Sequence, residues 1–127
     1  MAKLLAINDD NFDEQVLQNN KPTAVLFKTD GCPYCRAMEP IMEQVADEFA
    51  DQVKIVVIDA LENQEKTDEY GIQAVPQLLF FRDGEIVDSV LGARPKDEVV
   101  SKVKNVIEPV SAKTWNIWTP VENILKQ

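Results

Sequence analysis

The sequence has no histidine and only two cysteines. A structural zinc site usually takes four ligands, so this chain could offer only a site completed by carboxylates or shared between two copies. Haem attachment at Cys-x-x-Cys needs a histidine directly after the second cysteine, and Arg36 stands there. Basic residues are also scarce: 13 Lys and Arg stand against 22 Asp and Glu, a formal net charge of −9. That balance argues against nucleic acid and anionic membranes as partners. No apolar run approaches the length of a membrane span. The apolar stretch before Asp9 and Asp10 is too short for a secretory signal. The expected location is therefore the cytoplasm, where thiols are kept reduced. Internal repeats and low-complexity linkers are absent too, and 127 residues suit a single domain with one substantial core.

Both cysteines fall in one short stretch, Lys28 to Arg36, as Cys32-Pro33-Tyr34-Cys35. A strand-like run, Ala24 to Phe27, leads in, and a helical pattern, Arg36 to Ala50, leads out. Cys-x-x-Cys at a strand-to-helix junction reads as a redox dithiol. Cys32 is expected at or just before the first helical turn, with Pro33 where a missing N–H costs nothing. Unpaired N–H groups and the positive helix end there favour the thiolate, the species that attacks disulfides. Lys28 and Arg36 could add to that preference. Cys35, nearly one turn on, faces the same way and is placed to resolve a mixed disulfide. The blander reading is two inert, buried thiols.

In chain order, Leu4 to Ile7 is a strand candidate. Asn8, Asp9 and Asp10 are cap-type residues ahead of a helix carrying Phe12, Val16 and Leu17. In the long helix Met38, Ile41, Met42, Val45, Ala46 and Phe49 form one apolar stripe. Pro40 interrupts its hydrogen bonding, and the unbroken period favours a kink over two separate helices. Val53 to Ile58 is a β-branched strand, and Gln64 to Tyr70 a short polar helix ended by Gly71. Gln77 to Arg82 and Glu85 to Leu91 are strands joined through the hairpin signal Asp83-Gly84. Pro95 opens a helix whose stripe is Val99, Val100, Val103, Val106 and Ile107. The order β-α-β-α-β-α-β-β-α defines an α/β sandwich with a mixed sheet. Residues 1–108 form this domain and 109–127 an extension. There Thr119-Pro120-Val121-Glu122 is a capping box, with Trp115 and Trp118 upstream as a packed tail or an interaction surface.

With these motifs in place, the chain resembles a thioredoxin from about Leu4 to Ile107. The resemblance is carried by Asn11-Phe12-Asp13, Cys32-Pro33-Tyr34-Cys35, Pro40, Asp59, Tyr70-Gly71-Ile72, Val75-Pro76, Phe81-Arg82-Asp83-Gly84-Glu85 and Gly92-Ala93. It implies the thioredoxin fold, a five-stranded mixed sheet flanked by four helices, with Pro76 cis and facing the cysteines. It also implies an extended substrate groove, with Gly31, Val75, Gly92 and Ala93 binding substrate and Pro33, Tyr34 and Pro76 supporting the active site: the Val75 backbone pairs with substrate, and Gly92 and Ala93 line the other side. The expected activity is reduction or exchange of disulfides in protein substrates, with a thioredoxin-reductase-type electron donor and no resident cofactor or metal. The chain departs from the family in three ways. Pro33-Tyr34 is the dipeptide typical of glutaredoxins. Gly31 stands where a tryptophan usually precedes the first cysteine. Leu26 and Ile55 stand at the positions of a buried acid and its lysine partner, so both members of that pair are apolar. By sequence the acids nearest Cys35 are Asp30, Glu39 and Asp59. A couple more oxidising than that of ordinary thioredoxins is expected, since stabilising the reduced form has that effect. Three other readings stay open at this point: a glutathione-dependent oxidoreductase, a partner-binding module with idle thiols, and a cluster-bridging dimer.

Overall fold

The computed structural model describes residues 4–107; the extension with its two tryptophans and its expected helix lies outside the described residues. Strands β1 (Leu5–Ile7), β2 (Thr23–Lys28), β3 (Lys54–Asp59), β4 (Gln77–Arg82) and β5 (Glu85–Leu91) form one sheet in the order β1-β3-β2-β4-β5. β1 and β2 run parallel to β3, whereas β4 is antiparallel to β2 and β5 antiparallel to β4. This is the mixed five-stranded sheet that the sequence predicts.

The strands' period of two sorts their side chains onto two faces. Ala24, Leu26, Ile55, Val57, Leu78, Phe80 and Val90 lie beneath helices α1 (Pro33–Glu48) and α3 (Lys96–Ile107), against Met38, Met42, Val45, Val99, Val103 and Val106. Val25, Phe27, Val56, Ile58, Leu79 and Phe81 pack on the opposite face against Phe12, Val16 and Ile72. β2 is thus buried on both faces, which explains its unbroken apolar run. It sits at the centre of the sheet and carries the reactive stretch at its C-terminal end.

The turns follow from local chemistry. Asp83 and Gly84 have φ of 54° and 82°, the two positive values a type I′ hairpin requires. Helix α2 (Gln64–Glu69) closes on Gly71, at φ 65°. Ile72 N–H donates to Thr67 O at 2.9 Å and Gly71 N–H to Asp68 O at 3.1 Å, a Schellman closure. α1 runs unbroken through Pro40, as the continuous apolar stripe requires.

Two expectations need correction. The helix expected behind Asn8–Asp10 is only a π-helical segment, Asp13–Leu17, and of the cap-type residues Asn8 bonds at its entry whereas Asp9 does not. Asn8 and Asn11 each accept the other's N–H, at 2.9 and 2.8 Å. Asp9 instead accepts the N–H groups of Glu65 and Lys66 at the start of α2, at 3.3 and 3.0 Å. Val53 also stays outside β3, since its N–H donates to Phe49 O at 2.9 Å and closes the turn after α1.

Candidate active site

The site is assembled where β2 ends. Lys28 Nζ holds Asp30 at 3.0 Å, and that bond, ahead of the opposing effect of burial, raises the lysine above its ordinary value. Cys32 N–H then turns back to Thr29 O at 3.4 Å. Cys32 is the N-cap of α1, in extended conformation (φ −94°, ψ 112°), with Pro33 in the first helical turn. Its sulfur plays the part usually taken by a serine or aspartate oxygen: Cys35 N–H donates to Cys32 Sγ at 3.1 Å.

The two thiols are free and differ in environment. Cys32 is half-buried, while Cys35 is fully enclosed beneath the first helical turn. Burial, then the hydrogen bond and charge interaction with Cys32 and the negative charge of Glu39, push the Cys35 thiol up to about 11 from 9.0; a backbone hydrogen bond at Thr29 opposes this. One sulfur therefore meets solvent and the other waits behind it, protonated at neutral pH.

Of the residues expected to bind substrate, Val75 lies against the half-buried thiol. Cys32 Sγ lies 3.9 Å from Val75 O, its hydrogen-bond acceptor. The Val75–Pro76 peptide is cis, and Pro76 is buried. Gly92 N–H donates to Pro76 O at 2.8 Å, which ties the β5 exit to the start of β4. Gly92 has φ +90°, a backbone region that favours glycine. Ala93 beside it is exposed, as are Pro33, Tyr34 and Gly31 around the cysteine. A Cβ at Gly31 would touch nothing within 4 Å, so this approach to Cys32 is open.

Leu26 and Ile55 are both buried in the apolar cluster under α1. Sequence reasoning missed one contact beside Gly92 and Ala93: Arg94 N–H donates to Met38 Sδ at 3.3 Å, from the loop to the buried face of α1. Helical spacing marks Met38 only as core, and nothing local signals the contact. Among the described residues no three His, Cys, Asp or Glu side chains converge to hold a metal ion.

A solvent-facing thiol capping a helix, a buried partner within the first turn and a cis-proline edge beside them define a dithiol oxidoreductase. The sequence model of the thioredoxin family matches residues 3–105. Thioredoxin 1 of Synechococcus elongatus is 38% identical over 96 residues, covering 76% of this chain and 90% of that protein. A thioredoxin of Pyropia yezoensis is 36% identical over 101 residues, 80% of this chain and 94% of its own. The chloroplastic M-type thioredoxin of Pisum sativum is 37% identical over 101 residues, 80% of this chain and 59% of that protein. The chain belongs to the thioredoxin family, and it is a thiol-disulfide oxidoreductase.

Proposed function

We propose that the protein reduces disulfide bonds in other proteins and is itself re-reduced by a donor of the thioredoxin-reductase type. The observation that supports this most is the pairing of a half-buried Cys32 with a buried Cys35 directly behind it. An extended substrate strand lies along Val75, between Cys32 and the Gly92-Ala93 wall, with its disulfide presented to Cys32 Sγ. Cys32 attacks one substrate sulfur and forms a mixed disulfide. Cys35 then attacks Cys32 Sγ, which closes the internal disulfide and releases the substrate sulfur as a thiolate. We further propose that this happens in the cytoplasm, where a lone dithiol is maintained for catalysis.

Replacing Cys35 with Ser tests the assignment, because it removes the resolving sulfur and leaves the attacking one. The C35S protein is expected to accumulate covalent, thiol-reversible complexes with a disulfide substrate such as insulin, and C32S to form none. Efficient insulin reduction by C32S would overturn the roles. The Pro33-Tyr34 dipeptide favours a second reading, glutathione as the electron source, and the reduction potential decides between the two. About −270 mV is the thioredoxin value and supports a dedicated reductase, whereas about −200 to −230 mV belongs to the glutaredoxin range and supports glutathione.

A further inference from the structure

The resolving sulfur must attack as a thiolate, yet Cys35 is enclosed and ordinarily protonated at neutral pH. Something must take its proton. The strand positions beneath α1 cannot, because Leu26 and Ile55 are apolar. Two of the nearby acids are already engaged. Asp30 is bound to Lys28, and Asp59 Oδ1 accepts the N–H groups of Leu61 and Glu62 at 2.9 and 3.1 Å. Glu39 has no hydrogen-bond or ion-pair partner among the described residues.

Glu39 lies one helical turn beyond Cys35 on α1, on the same side. Cβ atoms at that spacing are about 6 Å apart, a gap that a glutamate side chain and one water span. Glu39 lines a cleft of about 480 Å³ between α1 and the β1–β3 side of the sheet, large enough and polar enough to hold water. Lys28 and Asp30 face it from the end of β2, Asp59 and Glu62 from the end of β3, and Glu43 from its own helix.

We propose that Glu39 is the general base of the resolving step, accepting the Cys35 proton directly or through one water. The inference rests on Cys35 resolving the mixed disulfide, as above. The thiol proton passes to the Glu39 carboxylate and Cys35 Sγ attacks Cys32 Sγ. The Cys32–Cys35 bond forms, the bond from Cys32 to substrate breaks, and the substrate sulfur leaves with the electron pair. Glu39 then returns its proton to solvent through the cleft.

Ellman's reagent provides the test, since each thionitrobenzoate released is seen separately. Cys32 releases the first in forming the mixed disulfide, and Cys35 releases the second. In the unaltered protein the second phase is expected to vary little with pH near neutrality, because a fixed base on the protein rather than hydroxide removes the proton. In Glu39→Gln it should slow about a hundredfold at neutral pH and rise about tenfold per pH unit, with the first phase unchanged. Glu39→Asp should keep the flat profile at an intermediate rate. If Glu39 acted only through its charge, removing it would make Cys35 easier to ionise, and the second phase would accelerate. An accelerated or unchanged second phase in Glu39→Gln overturns the inference, and so does a steep profile in Glu39→Asp. A missing second phase in the unaltered protein would instead overturn the dithiol reading itself.

Discussion

Placing a carboxylate at Leu26 separates two accounts of this core. Leu26 is fully buried, paired in register with Val57 on one side and Leu78 on the other. In Leu26→Asn, losing the leucine costs about 2–5 kcal/mol, and an unpartnered amide adds about 1–3 kcal/mol. Leu26→Asp suffers the same loss, with an acid that can also ionise. The cluster side chains packed around it are apolar, so burial raises the acid's pKa in the folded state by about 3 units, worth about 4 kcal/mol. The sign follows from the folded pKa lying above the unfolded one. The stability of Leu26→Asp relative to Leu26→Asn is fully present below about pH 3.9 and is lost as pH rises toward about 7, at about 1.4 kcal/mol per pH unit. Together these losses rival the whole stability of a typical domain, about 5–15 kcal/mol. Urea unfolding of both variants at several pH values between about 4 and 7 measures the difference. A difference that does not change with pH would refute the reasoning, because it would mean the new carboxylate finds water or a cation inside the cluster.

Two further outcomes follow from the geometry. Titrating the thiolate absorbance of Cys35 in the Cys32→Ser protein should give an apparent pKa below about 11 but above 9.0, because the contribution of Cys32 is removed and burial remains; a value at or below 9.0 would show that burial is not the main cause. Gly84→Ala should cost about 1–2 kcal/mol in thermal or denaturant unfolding, from its φ of 82° alone. The new methyl meets only Leu17 O at an ordinary 3.5 Å, so a loss of several kcal/mol would contradict that account.

The parts of the fold that were readable in the sequence are those fixed locally. Asp83-Gly84 specifies its hairpin, Gly71 ends α2, Pro33 starts α1, and the β-branched run of β3 declares a strand. Asp9 shows where local reading stops. A cap-type side chain looks the same whether it caps its own helix or one more than fifty residues away, and here it caps α2. The cysteine pair and its helix were legible because spacing and capping chemistry are local. The placing of Val75 against Cys32, and of Gly92 against Pro76, was available only through family resemblance, since loop residues carry no periodicity that reports their neighbours. Glu39 stood among three acids that sequence could not rank; the hydrogen bonds of Asp30 and Asp59 separate it from them.

Because Cys32 is at once the nucleophile and the N-cap of α1, redox state and folding are joined in one thermodynamic cycle. The unfolded chain also carries a Cys-x-x-Cys pair that can open and close. Any difference in unfolding free energy between the oxidised and reduced protein must therefore equal the gap between the native and unfolded reduction potentials, about 1.4 kcal/mol for every 30 mV. If the reduced form resists denaturant better, with its sulfur holding Cys35 N–H at 3.1 Å, the native couple is more oxidising than an unstructured dithiol. A pair of denaturation curves thus measures an electrochemical quantity, and any substitution that strengthens one redox form's helix start shifts the potential with it.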